Sequence, residues 1–318
     1  MIREVFDAIL ALAPKQQDKI HRINQLLHHL FKDALREKPI DSDPMLAIYP
    51  DDYPAPKHGK YTHINDLPTL SKFMKILPKI HGEPSTIAIC QIAPHWFTRP
   101  VEIRFLKWAN VDFEHNKCSL HKAKVRGQSI NAGDLDQRPT DYFMPLSPQV
   151  KTILQKLFKI TGQKEYVFAG INDNEPISDN TAGRAIRTAC KREGFENLSS
   201  MHGFRYTGRS FLPGILGIKP RIVEQHMSHS TSVDGQEAAV SSDKYGYDDY
   251  LYAPERRAMM EIWSDFLEGV ANGKYKELSP EEVQKLFESG KKSEWQQFIE
   301  ELRTKYIRLA SIYQQMSH

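Results

Sequence analysis

Apolar residues recur at three- and four-residue steps over positions 15–37, the spacing of an amphipathic helix with one buried face. Pro39 and Pro44 follow this stretch and end the helix. A shorter helix is predicted before it, over residues 1–12. The apolar face of the longer helix consists of Ile20, Ile23, Leu26, Leu27, Leu30, Phe31, Ala34 and Leu35.

The helical repeat stops after the second of these prolines. Residues 49–61 contain three prolines and one glycine without an apolar repeat, which is typical of a linker. We therefore expect a helical unit over residues 1–48, a linker over 49–64 and a domain boundary near residue 60.

Helical and extended patterns alternate in the rest of the chain. Short runs of β-branched and aromatic residues, separated by turn residues, predict a small antiparallel sheet. The polar stretch 126–139 predicts a long loop within it. Strands are expected at 111–113, 117–120 and 142–144, and helices at 67–77, 86–92, 148–160, 180–193, 204–212, 220–228, 255–270 and 280–289, followed by a long final helix. Residues 103–108 are expected to continue a helix into a turn. The predicted fold is mainly α with a small antiparallel β-sheet, with a second domain at 65–275 and a helical tail at 276–318.

Composition and charge narrow the function without fixing it. The 318 residues are 40% hydrophobic and 26% charged, which is typical of globular domains. The formal net charge is only +3, from 43 lysines and arginines against 40 acidic residues, so DNA binding has to be argued from where the basic residues lie. The three cysteines show no CxxC spacing, which favours reduced thiols. Without a signal peptide or an apolar run of about 20 residues, we expect a cytoplasmic protein with no membrane partner.

Four features are candidates for chemistry. Each has an ordinary structural explanation when it is taken singly: an arginine before a proline starts a helix, a histidine and an arginine three apart cap or pair, a histidine-rich segment forms a solvated turn, and tyrosines pack at an edge. Metal binding is not expected, because no cysteine or carboxylate set completes the histidines. The features are Arg99-Pro100 with Glu102, the pair His202 and Arg205, His229, and the tyrosines Tyr245, Tyr247, Tyr250 and Tyr252.

Their order along the chain resembles the tyrosine recombinase (phage integrase) family. The segment FTRPVEIRFLKWANVDF is similar to that family's first-arginine motif, and HGFRYTGRSFL to its HxxR motif. VEQHMSH is similar to the helix that ends in the third basic residue, and YGYDDYL followed by ERRAMM to the nucleophile segment of prophage and genomic-island integrases. The resemblance covers residues 65–270. It implies a recombinase catalytic domain preceded by part of a helical core-binding domain, in a chain that is short at its N-terminus.

The resemblance also implies catalytic roles. Negative charge grows on the non-bridging oxygens of a DNA phosphodiester during attack, and Arg99 and Arg205 would grip those oxygens. His202 and His229 would donate hydrogen bonds or move protons. No metal, other cofactor or ATP would then be needed, because the guanidinium groups take the metal's place and the phosphotyrosine bond conserves the energy for rejoining.

For the catalytic lysine and for the nucleophilic tyrosine, the sequence offers one alternative residue each. A lysine at a β-hairpin turn would protonate the leaving 5′-oxygen; counting from the end of the strand selects Lys124, with Lys122 as the alternative. Tyr245 is the expected nucleophile and Tyr247 the runner-up. The stretch 230–244 is longer than usual for the family, which leaves full activity open.

The expected partner is double-stranded DNA at attachment sites, bound by a homotetramer. A catalytically impaired integrase-like DNA-binding regulator and a type IB topoisomerase-like strand relaxer are alternatives. The residues expected to contact DNA outside the catalytic set are Lys57, Lys60, Lys122, Arg126 and Arg209.

Overall fold

The structure is a computed structural model that describes residues 2–13, 16–53, 61–125, 128–129, 142–172, 175–196, 198–228, 232–233, 236–237 and 252–316. The chain divides into two units, Met1–Lys60 and Tyr61–His318. Within the described residues, no helix is both long enough and apolar enough to cross a membrane.

Two helices, α1 (Ile2–Leu12) and α2 (Gln17–Glu37), form most of the first unit. Its small core also takes in the chain that follows α2, since Met45, Ile48 and Tyr53 are buried against the helices. The Tyr53 ring packs edge-on against Phe6, with 5.0 Å between ring centroids. Burial and the acceptor carboxylate of Asp7 raise the pKa of the Tyr53 hydroxyl to about 12. The linker predicted from residue 49 is therefore wrong at its start, because Tyr53 belongs to the core of this unit.

A three-stranded antiparallel sheet confirms the predicted one. It consists of β1 (Val111–Asp112), β2 (Lys117–Leu120) and β5 (Tyr142–Pro145) in the order β1-β2-β5. Leu120 of β2 pairs with Tyr142 of β5. Every residue of β5 is buried, so this strand is enclosed by the helices of the second unit.

Two short hairpins lie outside that sheet. β3 (Lys124–Val125) pairs with β4 (Gln128–Ser129), and β6 (Ser232–Val233) pairs with β7 (Gln236–Glu237). The loop predicted over 126–139 is therefore wrong at residues 128–129, which form a strand, and residues 130–139 lie outside the described part of the chain.

Helices make up most of the second unit. The helix predicted to run into a turn over 103–108 is confirmed: Pro100 begins a short helix that ends at Arg104, because proline's fixed φ suits a first helical position. Residues Trp108–Asn110 then form a separate 3₁₀ turn. The helices are α3 (Leu67–Ile76), α4 (Pro84–Trp96), α5 (Pro100–Arg104), α6 (Pro148–Thr161), α7 (Thr181–Arg192), α8 (Gly203–Gly214), α9 (Pro220–His226), α10 (Ala253–Ala271), α11 (Pro280–Ser289) and α12 (Glu294–Gln315).

Helix α10 runs through the core of this unit. The Trp263 ring is fully buried on it and donates from Nε1 to the carbonyl of Pro94 at 2.9 Å. The final helix α12 packs onto α10, where a Cβ at Gly269 would lie 2.3 Å from the Phe298 ring. Ile299 and Leu302 of α12 join the same core. The C-terminal tail therefore folds onto the second unit in cis.

Candidate active site

The first candidate arginine is positioned by a sharp turn at the end of α4. Phe97 ends that helix in the left-handed conformation, with φ of 37°, and its side chain is fully buried. Two residues later the Arg99 backbone N–H donates to the Glu102 carboxylate at 2.9 Å, and Arg99 Nη1 donates to the same carboxylate at 2.9 Å. Because a guanidinium carries several N–H donors, this pairing orients Arg99 and leaves donors for a second anion.

Glu102 also fixes the segment that carries the candidate lysines. Its side chain is fully buried, and its Oε1 accepts the backbone N–H of Ala123 at 3.1 Å. One carboxylate therefore connects Arg99 to the chain between Lys122 and Lys124.

The candidate lysines lie at different places in that segment. Lys122 is half-buried in the connection between β2 and β3. Lys124 pairs with Ser129 within the β3–β4 hairpin. Lys124 is therefore a strand residue of that hairpin, four residues after the end of β2. The role of either lysine stays a prediction.

The second candidate arginine lies on α8. Arg205 is 2% exposed and donates to the carbonyls of Phe97 at 3.3 Å and Met227 at 2.9 Å. Burial lowers the pKa of its guanidinium, and the positive charge of Arg99 lowers it further. Two cations in one partly desolvated place repel each other, so an anion that contacts both would be favoured there.

Close packing of α8 against the turn after α4 brings the two arginines together. A Cβ on Gly208 would lie 2.9 Å from the Phe97 ring, so only glycine allows this approach without a shift. The Arg205 bond to Phe97 lies on the same face of the helix. Phe97 and Gly208 were not predicted from the sequence; the signals were a glycine within a helical pattern and a bulky residue two positions before the first arginine.

The end of α9 is held just before the second candidate histidine, His229. His226 is fully buried, its Nε2 lies 3.1 Å from the Trp96 carbonyl, and its own carbonyl accepts the Tyr142 hydroxyl. Burial, and then the charge of Arg256, lower the pKa of His226 well below its usual value, so the ring is neutral. The helix ends at His226, and Ser228, two residues later, has φ of 52°.

His202 lies at the start of α8, one turn before Arg205, whose backbone N–H donates to the His202 carbonyl at 3.2 Å. Its ring is half-buried and lies against the Tyr61 ring, with 4.3 Å between ring centroids. The structure therefore brings together Arg99, Arg205 and the segment that carries the lysines, and it puts His202 next to Arg205 along α8.

Several predicted site residues lie outside the described part of the chain: Lys57, Lys60, Arg126, His229, Tyr245 and Tyr247. Among the predicted DNA contacts, Arg209 is more than half exposed on α8 and pairs with Glu224, with 2.6 Å between Nε and Oε1.

A buried arginine that the sequence analysis did not select lies next to the site. Arg256 on α10 is fully buried and donates to the Phe143 carbonyl on β5. Its guanidinium also lies 5.8 Å from the centre of the Tyr142 ring. The available signal was the spacing of Arg256 from Met260 and Trp263, which puts the arginine on the apolar face of α10. Arg256 adds positive charge behind the sheet strand that carries Tyr142.

The sequence and the fold both match known integrases. The family model described as the phage integrase family matches residues 65–233. The integrase of Enterobacteria phage P4 is 26% identical over 265 residues, which cover 80% of this chain and 56% of that protein. The chain spans about half of the length of the curated relatives that it matches.

Two solved structures of lambda integrase share the fold. One is a dimer of residues 75–356 bound to a COC′ core site, with a TM-score of 0.51, 16% identity and coverage of 74% of this chain and 81% of that one. The other is a tetramer bound to a Holliday junction, with a TM-score of 0.51, 15% identity and coverage of 74% and 65%.

Proposed function

Because the chain belongs to the phage integrase family, we propose that it is a site-specific recombinase that cleaves and rejoins duplex DNA. The observation that carries the proposal is the buried pair Arg99 and Arg205. Burial, and then the positive charge of Arg99, lower the pKa of Arg205. A phosphodiester that contacts both guanidinium groups would remove the repulsion between them and accept charge-assisted hydrogen bonds from each.

The reaction would follow from stabilising the transition state of phosphoryl transfer. As a nucleophile attacks the phosphorus atom, charge grows on the non-bridging oxygens, where fixed cationic donors are most effective. The Tyr245 hydroxyl would attack the phosphorus atom, lose its proton to a histidine of the site and form a 3′-phosphotyrosine bond. The bond from phosphorus to the 5′-oxygen would break, and Lys124 or Lys122 would protonate that leaving oxygen to give a 5′-hydroxyl. Reversal with a different 5′-hydroxyl would rejoin the strand without ATP. His202 and His229 would hold or transfer protons at the phosphate.

Fixed orientation of Arg99 supports this reaction over passive DNA binding. A residue that contacts only backbone phosphates works from a flexible, solvated position. Arg99 is instead 9% exposed and held by the fully buried Glu102. Burying the Glu102 carboxylate to hold Arg99 is energetically unfavourable. This burial is explained if the Arg99 guanidinium must donate to one particular phosphate oxygen.

The proposed substrate is an attachment site in double-stranded DNA. We propose that a homotetramer holds two such sites, in line with the DNA-bound tetramer of lambda integrase that shares the fold. The proposed DNA contacts outside the catalytic set are Lys57, Lys60, Arg126 and Arg209, with Lys122 as the alternative to Lys124.

The experiment that tests the proposal traps the covalent intermediate. The protein is incubated in EDTA with nicked duplexes of randomised sequence, in which cleavage releases a short fragment and prevents rejoining. Adducts are isolated from a denaturing gel, and the attached DNA is sequenced to identify the site. We expect an adduct that disappears in Tyr245→Phe and in Arg205→Ala.

The other outcomes separate the alternatives. An adduct that survives Tyr245→Phe and disappears in Tyr247→Phe would move the nucleophile. Tight binding without any adduct would favour a DNA-binding regulator. Relaxation of supercoiled DNA by a monomer would favour a type IB topoisomerase.

A further inference from the structure

The chain at the start of the second unit runs along the first turns of α8. In the segment 61–64, the carbonyl of Thr62 accepts the Ser200 backbone N–H at 3.1 Å. The Thr207 hydroxyl donates to the Ile64 carbonyl at 2.9 Å and accepts the Ile64 backbone N–H at 3.2 Å. The segment is therefore bonded to α8 and to the turn before it, and it cannot slide along the helix without losing these bonds.

The contact between this segment and α8 is also tight. A Cβ on Gly203 would lie 2.1 Å from the Thr62 carbonyl oxygen. Gly203 is the residue directly after His202. The backbone of the segment therefore touches the helix at the point where the candidate catalytic histidine leaves it.

Tyr61 brings its ring onto the His202 ring. The two centroids are 4.3 Å apart with 39° between the ring planes. Tyr61 is 55% exposed, so burial in the core does not explain its position. Tyr206 completes the cluster, with its ring centroid 6.0 Å from that of His202 and 6.5 Å from that of Tyr61.

We propose that Tyr61 is a positioning residue that holds the His202 ring in one orientation. This inference rests on the proposed function in one respect, the catalytic role of His202. An imidazole presents two different nitrogens, and a half-exposed ring can turn about its side-chain bonds unless a neighbour limits it. A ring packed against the imidazole, even at a tilt, limits its rotation and holds the nitrogens in one plane, which is what a directed hydrogen bond to a phosphate oxygen requires.

Tyr61 is the first residue of the second unit. Residue 60 ends the first unit, so the chain that joins the two units continues directly into the ring that orients His202. The backbone bonds of the 61–64 segment fix this end of the connection to α8. The segment that follows the end of the first unit therefore carries the ring that contacts His202.

The test compares Tyr61→Leu with Tyr61→Phe in the full chain. Leucine removes the ring, whereas phenylalanine keeps it. Phe287→Leu is the matched control, because Phe287 is an 83% exposed aromatic residue on α11. Two quantities are measured: the NMR shifts of the His202 ring protons, assigned with His202→Gln, and the single-turnover rate of adduct formation on saturating nicked DNA.

We expect an upfield ring-current shift of the His202 protons in the wild type and in Tyr61→Phe, and its loss in Tyr61→Leu. The cleavage rate of Tyr61→Leu should fall about two- to tenfold, the range that one aromatic pair supplies, with unchanged DNA affinity. Tyr61→Phe should restore the rate. Phe287→Leu should change neither quantity.

The two readouts separate this inference from the proposed function. Unchanged His202 shifts in Tyr61→Leu would overturn the inference whether or not the protein cleaves DNA. A Tyr61→Leu variant that cleaves at the wild-type rate would also overturn it, while leaving the recombinase proposal intact. Loss of the ring-current shift in a chain that forms no adduct would support the contact and contradict the proposed function.

Discussion

Replacing Glu102 with alanine tests whether one buried carboxylate organises the site. The change removes the acceptor for the Arg99 backbone N–H, the Arg99 guanidinium and the Ala123 backbone N–H, at 2.9, 2.9 and 3.1 Å. Removing one partner of a buried ion pair costs about 3–5 kcal/mol, because the other charge stays buried without compensation. We therefore expect Glu102→Ala to lower the free energy of unfolding of the second unit by about 3–5 kcal/mol.

The assay is urea unfolding followed by tryptophan fluorescence. All four tryptophans lie after residue 60, so the signal reports the second unit. The matched control is Glu165→Ala, which removes a half-exposed carboxylate that pairs with Lys107 at 2.8 Å. A solvated pair of this kind contributes about 0–1 kcal/mol.

Glu102→Gln should lie between the wild type and the alanine variant, since the amide keeps a carbonyl acceptor but loses the negative charge beside Arg99 and Arg205. Inorganic phosphate should raise the unfolding free energy of Glu102→Ala more than that of the wild type, because an anion replaces the missing charge. If Glu102→Ala is no more destabilising than Glu165→Ala, the central place given to this carboxylate is wrong.

Two further predictions concern packing and pH. Gly208→Ala should destabilise the second unit by about 1–3 kcal/mol, since its Cβ would meet the Phe97 ring at 2.9 Å. In the control Gly214→Ala, the new Cβ would have no atom within 4 Å, so this variant should be neutral or slightly stabilising. Equal urea midpoints for the two variants would contradict this prediction. Burial lowers the pKa of His95 to about 4, so the unfolded chain binds more protons than the folded one between about pH 6.5 and 4. The unfolding free energy should therefore fall as the pH is lowered through that window, and the dependence should weaken in His95→Gln; a pH profile unchanged by that substitution would refute the assignment.

Much of the architecture follows from local patterns. The runs around Val111, Cys118 and Phe143 predicted the three-stranded sheet correctly, because alternation and turn residues act over a few positions. The helix that runs into a turn over 103–108 also follows from local signals, since a proline begins it at Pro100 and it ends at Arg104. Tyr53 was assigned to a linker because its neighbours are prolines, and its packing partner Phe6 is far away in sequence.

In the site, too, single residues can be selected from local sequence, whereas contacts between residues far apart in sequence cannot be predicted from it. Arg99 and Arg205 were selected through the resemblance to a family, and spacing alone does not say that they meet. The double contact of Glu102 with Arg99 and Ala123 depends on where the chain returns after β2, which no local pattern encodes. The contact between the Tyr61 and His202 rings likewise joins two residues far apart in sequence. The sequence predicts only a linker at Tyr61.

The identity of the atom that carries the cleaved DNA tests the central claim most directly. The adduct formed in EDTA is digested with protease and nuclease, and the modified peptide is sequenced by mass spectrometry. The account predicts a phosphotyrosine at Tyr245, formed without metal and lost in Arg205→Ala. An adduct on a residue other than tyrosine, or cleavage that requires Mg²⁺, would contradict it.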